Sequence, residues 1–537
     1  MAVIARDPMD GPQYALRGRI VTMNNRRTVI DDGIVYIDKG NIIAVKKSTA
    51  RPPAGFRHID PINTEGIIYP GLIELHNHLS YNILRLWQVP KQYTNRDQWA
   101  GTAEYRKIIS GPMNVLGKTP GYVEAIVRYV ECKCLLGGVT TSQGIALFSN
   151  NGIQKYYRGV VRNVENTDDA ELPEALAKIS DVESASIQAF YQRLKKQHCL
   201  LLHLSEGTDP EALQHFNDLK LPDGNWAITE ALSGIHCVAL KATEFKKMAA
   251  NKASMVWSPL SNLLLYGQTA DIVSAVKNKL LIGIGSDWSA SGSKNLFGEL
   301  KVARLVSREL GVMKKDADIL AMATINAARM LKWDKVMGSI EAGKRADLLV
   351  MTGTTGDPYH AFLNRSETAI SLVVINGIAR YGHEQLMNHW QVPKEAVMVG
   401  SKKYQLHLTQ PSGDPVVNNL KLSDAIKKLK TGLQNLPQLA KDLETHPHRS
   451  LSIANAASDP QWFLVLDHND EIAGEKLRLA GEVVPQPRGV PQPLSAIVEK
   501  MKLDEMTVAD DRDFLNAIQL QNNLPLYIKK GLRVMYG

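Results

Sequence analysis

Short apolar segments alternate with amphipathic helical patterns from about residue 66 to residue 337, and this alternation constrains the fold more than any other feature of the chain. Apolar runs bounded by glycine or polar residues predict buried strands, and apolar positions with a period near 3.6 predict helices packed over them. Strands alternating with helices form a parallel sheet, open or closed. Seven such strands are readily located, whereas the strand expected between about residues 167 and 198 has no clear apolar run.

Segments with a different texture lie on both sides of this region. Residues 15–66 consist of short apolar stretches separated by polar turns, and a similar β-rich pattern returns after about residue 338. The second block is able to pair with the first. Beyond about residue 400, helical patterns at residues 421–436 and 493–503 flank a proline-rich stretch without any recognisable catalytic spacing. A chain of 537 residues is long enough for a barrel of roughly 250 residues together with further domains.

Charge, hydropathy and cysteine usage narrow the class of protein. The net charge of +8 arises from 63 basic and 55 acidic residues that are scattered along the chain, which gives little support to nucleic-acid binding. The first twenty residues lack the apolar core of a signal peptide, and no segment reaches the roughly 18 continuous apolar residues of a membrane span. The four cysteines lack zinc-finger spacing. We therefore expect a cytoplasmic protein with reduced thiols that binds neither membranes nor nucleic acid.

Two histidines close the first strand of the alternating region. His76 and His78 follow the apolar run IIYPGLIEL, and residues i and i+2 of a strand point to the same side. Both imidazoles can therefore face one point. A His-x-His pair alone is a weak signal, but enzymes built on parallel β/α barrels hold their active sites at the ends of the strands. The position of this pair predicts a metal site.

Three further strands begin or end with an ionisable residue. His203 ends CLLLHL, His236 begins HCVAL, and Asp287 follows LLIGIGS. Glu206 stands three residues after His203, before a helix that Asp209 can cap and Pro210 can open. Each residue alone is as easily explained by packing or by solvation. Together they supply imidazole and carboxylate ligands that suit zinc, iron or manganese.

A family resemblance becomes specific at this point. Six motifs in this order resemble the amidohydrolase superfamily, most closely its branch of aminohydrolases and chlorohydrolases of heterocycles (the imidazolonepropionase-like branch): PGLIELHNH, GVTTSQG, HLSEG, HCVAL, SPLSN and GSDW. The resemblance covers about residues 15–385. It implies an α/β fold with a (β/α)8 TIM barrel, regular or distorted, over residues 67–337. Residues 1–66 and 338–400 would form a composite β-sandwich domain, and residues 401–537 a C-terminal helical extension of unknown role.

The resemblance also implies roles for the residues already singled out. His76, His78, His203 and Asp287 would bind one divalent metal, zinc in the first place and iron or manganese otherwise. Asp287 would also take a proton from water, His236 would orient the substrate, and Glu206 would carry a proton to the leaving nitrogen. The segment GVVRNVEN lacks the lysine of two-metal members, which favours a single metal. Trp257 replaces the first histidine of the family's HxPxSN segment, and Asn77 replaces the threonine between the first two histidines.

This inventory suits hydrolysis of a carbon–nitrogen bond in a small-molecule substrate. A metal lowers the pKa of water, a carboxylate accepts a proton, and a carboxylic acid protonates the departing amine. The sequence leaves open an amide, carbamate or urea-type bond, deamination of a heterocycle, and a non-catalytic metal-binding protein. Gln143, Trp87 and Asn262 are the candidates for substrate binding, and Trp87 lies in a long aromatic segment after His78. We also expect a homo-oligomer.

Overall fold

A computed structural model describes residues 9–182, 184–411, 413–417, 419–445, 461–466 and 493–537. Within these ranges, no helix combines the length and the apolar character that a membrane crossing requires. All four cysteines are buried and unbridged. The strands are β1 (Tyr14–Val21), β2 (Val29–Asp38), β3 (Asn41–Lys47), β4 (Ile62–Pro70), β5 (Leu72–Ile73), β6 (Val139–Ser142), β7 (Ala146–Ser149), β8 (Gln154–Tyr156), β9 (Arg162–Asn163), β10 (Ala175–Lys178), β11 (Cys199–Leu204), β12 (Leu232–His236), β13 (Ser254–Trp257), β14 (Leu281–Ile284), β15 (Leu348–Thr352), β16 (Ile370–Ile375), β17 (Ile378–His383), β18 (Glu395–Val399), β19 (Lys402–Leu406) and β20 (Trp462–Leu464).

Helices occupy most of the connections between the central strands and much of the C-terminal region. They are α1 (Asp97–Ala100), α2 (Ala103–Tyr105), α3 (Gly111–Lys118), α4 (Tyr122–Leu136), α5 (Ile187–Leu194), α6 (Pro210–Asn217), α7 (Ala242–Ala250), α8 (Pro259–Tyr266), α9 (Ile272–Lys277), α10 (Leu296–Glu309), α11 (Asp316–Met322), α12 (Ile325–Met330), α13 (Pro358–Asn364), α14 (Glu384–Met387), α15 (Leu422–Gln434), α16 (Leu436–Thr445), α17 (Phe514–Leu520) and α18 (Leu526–Tyr536).

The central strands lie in two parallel sheets that backbone contacts join. One sheet has the order β10-β11-β12-β13-β14 and the other β5-β6-β9. The amide of Ala175 donates to the carbonyl of Val164 at 2.9 Å, which links β9 to β10. A parallel bridge between Asn77 and Asp287 links the continuation of β5 to that of β14. Eight strands therefore follow one another side by side, and three of the four predicted metal ligands, His76, His78 and Asp287, lie at or next to the second link.

The strand that the sequence did not reveal is β10. It contains only four residues, ALAK, and two of them are partly exposed. Alanine and lysine are depleted in strands, so the segment carries no local β signal. Its pairing with β11, from Ala175 opposite Cys199 to Lys178 opposite Leu202, places it in the sheet.

The two β-rich blocks meet in a single nine-stranded sheet. Its order is β18-β19-β17-β16-β15-β4-β1-β2-β3, so the five strands that follow the central region form one part of the sheet and the four strands that precede it form the other. The junction is the antiparallel pair β4 and β15, in which Pro70 lies opposite Leu348. The sheet continues to Leu406, past the predicted limit at residue 400.

The C-terminal region combines helices with irregular segments. Helices α15 and α16 follow the first predicted helical pattern and continue beyond it, and α15 packs against α4. The second predicted helix, at residues 493–503, is wrong: this stretch forms a 3₁₀ turn over Leu494–Ala496 and then irregular chain. The preceding proline-rich stretch lies outside the described residues up to residue 492.

Candidate active site

The predicted ligands come together at the carboxyl ends of the central strands. His76 and His78 follow β5, His203 and His236 stand at the ends of β11 and β12, and Asp287 follows β14. The ring centroids of His76 and His203 are 4.7 Å apart, and those of His78 and His203 are 5.4 Å apart. Two groups place one ligand atom per residue within 4.8 Å of the others: His76 with His203 and His236, and His76 with His78 and Asp287.

Asp287 lies against the first two histidines. Its Oδ1 atom is 3.2 Å from Nε2 of His76 and 3.4 Å from Nε2 of His78. Burial raises the pKa of Asp287, but the close contact with His76 and the other nearby imidazoles outweigh this effect, so the pKa lies below its usual range. Burial lowers the pKa of His76 and holds that of His203 well below the ordinary value. The cluster therefore offers neutral imidazoles beside an ionised carboxylate.

Each of three histidines uses its Nδ1 atom for a hydrogen bond. Nδ1 of His76 lies 3.1 Å from Oε1 of Gln143, Nδ1 of His203 lies 3.3 Å from the Lys178 carbonyl, and Nδ1 of His236 lies 2.9 Å from Oδ1 of Asn262. Because each partner is an acceptor, Nδ1 carries the proton and Nε2 keeps its lone pair. In the described part of the chain, the buried Nε2 atom of His76 finds no hydrogen-bond partner. This donor set of imidazole nitrogens and one carboxylate fits zinc.

Gln143 has a supporting position behind the histidines. Its Oε1 atom also accepts from the amide of Asn77 at 2.9 Å, while its Nε2 atom donates to Glu165 at 3.4 Å. Glu165 accepts in addition from the amide of Gly144 at 2.8 Å, and burial raises its pKa to about 7. Gln143 therefore lies between His76 and Glu165 and orients the ring of His76.

Glu206 is held by a tyrosine and faces His236. The hydroxyl of Tyr266 donates to Oε1 of Glu206 at 2.8 Å. Oε2 of Glu206 lies 3.7 Å from Nε2 of His236 and 3.9 Å from Nη1 of Arg96. The side chain of Glu206 is only 6% exposed, so a reacting group that enters the cavity meets a carboxyl group already fixed in direction.

The backbone is strained where these side chains emerge. Asp287 and His236 have φ values of 66° and 64°, and Ser205, next to Glu206, has a φ of 53°. Non-glycine residues in this left-handed region are uncommon and cluster at functional sites. Gly285 allows the close approach of the two strands, because a Cβ atom there would lie 2.5 Å from Cβ of His76. These left-handed backbone conformations are energetically unfavourable, and they direct the predicted site residues towards one another.

A second buried carboxyl group supports Asp287 from behind. Glu74 accepts hydrogen bonds from the amide of Ser286 at 2.7 Å and from its hydroxyl at 3.0 Å. Burial raises the pKa of Glu74 to about 8. Asn77, at the family's threonine position, donates to the hydroxyl of Ser286 at 2.9 Å. These contacts fix the residue immediately before Asp287.

The cluster lines a small cavity. Its walls combine two indole rings, an arginine and an isoleucine with the ionisable cluster. The lining residues are His78, Arg96, Trp99, Ile179, His203, Glu206, His236, Asp287 and Trp288.

The three residues predicted to bind substrate lie behind this lining. Gln143 and Asn262 contact ligand-type histidines as described above. Trp87 is 3% exposed, donates to Glu104 at 3.0 Å and packs beside Tyr93 and Tyr105. The segment that carries Trp87 does reach the cavity, but through Trp99 and Arg96.

Several residues of the site had no recognisable signal in the sequence. Arg96 and Trp99 lie in a polar, aromatic segment where nothing distinguishes them from their neighbours. Tyr266 follows SPLSN by four residues and reaches Glu206 only because α8 packs beside it. Glu165 did carry a signal, since it ends GVVRNVE as the other site carboxylates end or follow their strands.

Comparisons with known proteins indicate the family and the fold of this chain. The model of the Amidohydrolase family matches residues 67–379. A 5-methylthioadenosine/S-adenosylhomocysteine deaminase of Thermoanaerobacter pseudethanolicus is 22% identical over 437 residues, which are 73% of this chain and 98% of that protein. The corresponding deaminase of Symbiobacterium thermophilum is 22% identical over 385 residues, 62% of this chain and 84% of that protein.

Two solved structures share the fold. The first, an adenosine deaminase from Xanthomonas campestris with bound zinc, has a TM-score of 0.52 at 15% identity, covering 80% of this chain and 99% of that one. The second, the guanine deaminase of E. coli, has a TM-score of 0.51 at 17% identity, covering 69% of this chain and 100% of that one.

Proposed function

Since the chain belongs to the amidohydrolase family, we propose that it removes an amino group from a nitrogen heterocycle, with the cavity around His76, Glu206 and Asp287 as its active site. Its family and relatives make it a hydrolase of carbon–nitrogen bonds other than peptide bonds. The observation that carries the narrower proposal is the cavity lining, in which the indoles of Trp99 and Trp288 stand beside Glu206. Flat aromatic walls suit a planar ring, and the deaminases compared above have names that give purine compounds as their substrates.

We propose His76, His78, His203 and Asp287 as the ligands of one divalent metal, with zinc as the first candidate. The buried Nε2 atom of His76, which has no hydrogen-bond partner among the described residues, and the ionised Asp287 support this set. His236 is near enough to serve as a ligand, but its Nε2 atom is directed to Glu206 at 3.7 Å, which supports a role in orienting the substrate. We further propose that the eight central strands close into a (β/α)8 barrel through the Asn77–Asp287 bridge.

The roles of the chain's own residues follow from their positions. A bound zinc ion supplies a Lewis acid that brings the pKa of water near neutrality. Oδ of Asp287 accepts a proton from the attacking water, and the carboxyl group of Glu206 delivers a proton to the departing nitrogen. Tyr266 and Arg96 hold Glu206 in place, while His236, whose ring Asn262 fixes through Nδ1, orients the substrate. The homo-oligomeric state, the cytoplasmic location and the division into three domains stay predictions.

The test combines metal analysis with product analysis. The protein purified from metal-replete medium should hold about one metal ion per chain, and a chelator should remove the metal and the activity together. His76→Ala should behave like chelation. His198→Ala provides the matched control, because His198 is exposed and precedes β11 at its opposite end. A metal-free active enzyme would contradict the proposal.

Released ammonia and released amine are measured separately on two sets of compounds. One set holds adenosine, 5′-deoxyadenosine and guanine, and the other holds N-acyl amines, carbamates and ureas. Ammonia from the first set supports deamination. Amine from the second set alone would instead establish amide, carbamate or urea hydrolysis at the same site.

A further inference from the structure

Residues 503–523 form a C-terminal segment, beyond the part of the chain that the family model matches, and this segment contacts the loops around the cavity. We infer that the C-terminal segment holds these loops in their working positions, with Gln521, Asn523 and Asp504 as positioning residues for the reaction. The inference deepens the proposed function, because it concerns the same cavity. It also assigns a role to a region in which the sequence shows no catalytic spacing.

Gln521 binds the backbone of the aromatic loop that follows His78. Its Nε2 atom donates to the Trp87 carbonyl at 2.9 Å, and its Oε1 atom accepts from the amide of Val89 at 3.3 Å. The amide of Trp87 in turn donates to the carbonyl of Ala290 at 2.7 Å. Ala290 lies two residues after Trp288, which lines the cavity. Gln521 is buried, with 1% of its surface exposed. Through the backbone of Trp87 it is connected to the loop that carries Trp288.

Asn523 joins the same loop to helix α8. Its Nδ2 atom donates to the carbonyl of Lys91 at 3.0 Å and to that of Leu264 at 2.7 Å. Helix α8 carries Asn262 and Tyr266, which hydrogen-bond His236 and Glu206 respectively. A shift of α8 would therefore move the partners of both residues.

Asp504 occupies a buried position between two loops of the site. Its carboxylate lies 2.6 Å from Nζ of Lys133 and 2.6 Å from Nζ of Lys294, and its amide donates to the carbonyl of Ile83 at 2.9 Å. Lys133 also donates to the carbonyl of Asn82 at 2.9 Å.

Asn82 carries this contact to the metal-ligand loops. Its Oδ1 atom accepts from the amide of Ser289 at 2.7 Å, and its Nδ2 atom donates to Asn77 at 2.8 Å. The buried ions therefore connect the loop after His78 with the loop after Asp287. Buried ion pairs add little net stability because desolvation opposes their attraction, so their effect here is to select one arrangement of the loops.

The experiment compares two matched pairs of full-length variants. Gln521→Ala removes both hydrogen bonds to the aromatic loop, whereas Gln519→Ala removes a similar bond to the Lys529 carbonyl, 2.8 Å long and confined to the C-terminal helices. Asn523→Ala is paired with Asn522→Ala, whose side chain is exposed. Hydrogen exchange of residues 79–93, metal content, melting temperature and kcat/KM are measured for each variant. The kinetic probe is whichever of adenosine, 5′-deoxyadenosine and guanine the wild-type enzyme deaminates fastest.

We expect Gln521→Ala and Asn523→Ala to keep the metal and to accelerate exchange in residues 79–93 by about tenfold, with a fall in kcat/KM of similar size. The control variants should stay within about twofold of wild type in both quantities, even where they lower the melting temperature equally. Equal exchange and equal kcat/KM across both pairs would overturn the inference and leave the segment a structural support. Exchange is read without any substrate. A wild-type enzyme inactive on the three probes would therefore refute the proposed function and still leave this inference decided by exchange.

Discussion

The hydroxyl of Tyr266 donates a 2.8 Å hydrogen bond to Oε1 of Glu206, and the indole of Trp99 donates to the same hydroxyl at 3.0 Å. One tyrosine therefore connects the proposed general acid to the aromatic wall of the cavity. Burial and the neighbouring carboxylate raise the pKa of Tyr266 well above its usual range, so the hydroxyl acts as a donor throughout the working pH range.

Tyr266→Phe should lower kcat by about tenfold or more, since a hydrogen bond to a charged group contributes roughly 1.5–3 kcal/mol. The metal content should not change, because Tyr266 contacts no proposed ligand. Steady-state kinetics together with metal analysis test this expectation. Tyr191→Phe on α5 is the control, and an equal effect of the two substitutions would mean that Tyr266 only packs.

Glu206→Gln keeps the size of the side chain but cannot deliver a proton, so turnover should fall on the order of 10²–10⁴-fold while the metal is retained. The deficit should shrink on substrates whose leaving group is weakly basic, because such a group needs less protonation in the transition state. Turnover is compared across a series of leaving groups. Glu230→Gln, an exposed glutamate, should match wild type.

Asp287→Asn should show a different pattern across the same substrates. The amide cannot accept a proton from water whichever group departs, so its deficit should persist on good and poor leaving groups alike. Metal binding should weaken as well, which competition with a chromogenic chelator measures. Identical patterns for the two variants would mean that Glu206 is structural, and His236 would then be tested as the acid.

Gln143→Ala should weaken metal binding by about 10- to 100-fold without removing any proposed ligand, because residues that orient a metal-binding histidine commonly contribute this much. The loss follows from the 3.1 Å contact with Nδ1 of His76. Titration of the apoprotein with zinc against a competing chelator measures it. Gln192→Ala on the exposed side of α5 is the control, and unchanged affinity in Gln143→Ala would show that the ring of His76 is held by packing alone.

The buried carboxyl group of Glu299 predicts a pH dependence of stability. Burial raises its pKa to about 8, from an ordinary value of 4.5 in the unfolded chain. Between these values the unfolded state binds fewer protons than the folded state, so this group's contribution to stability is full below pH 4.5 and is lost as the pH rises towards 8. The side chain introduced in Glu299→Gln cannot ionise. The melting temperature of this variant minus that of wild type should therefore increase as the pH rises from 5 to 8. Glu309→Gln, exposed on the same helix, should show a constant difference.

The sequence by itself determined the strand–helix alternation, the two β-rich blocks and the residues His76, His78, His203, His236, Glu206 and Asp287. Such features are local: apolar periodicity reports which face of a segment is buried, and a polar residue at the end of an apolar run marks a strand end. The prediction of a carbon–nitrogen hydrolase rested on these residues and on the family resemblance, and the comparisons confirm it.

Only the tertiary structure decided how these segments meet. Strand β10 gains its place from pairing with β11, because its own four residues have no β preference. Tyr266 reaches Glu206 across 60 residues of sequence, and Gln521 reaches Trp87 across 434. Contacts of this kind depend on the packing of elements that are distant in the chain. The identity of one side chain does not indicate which residue it will contact. The sequence therefore indicates which groups are candidates for the chemistry, while the fold sets their orientation, their burial and the shape of the cavity between them.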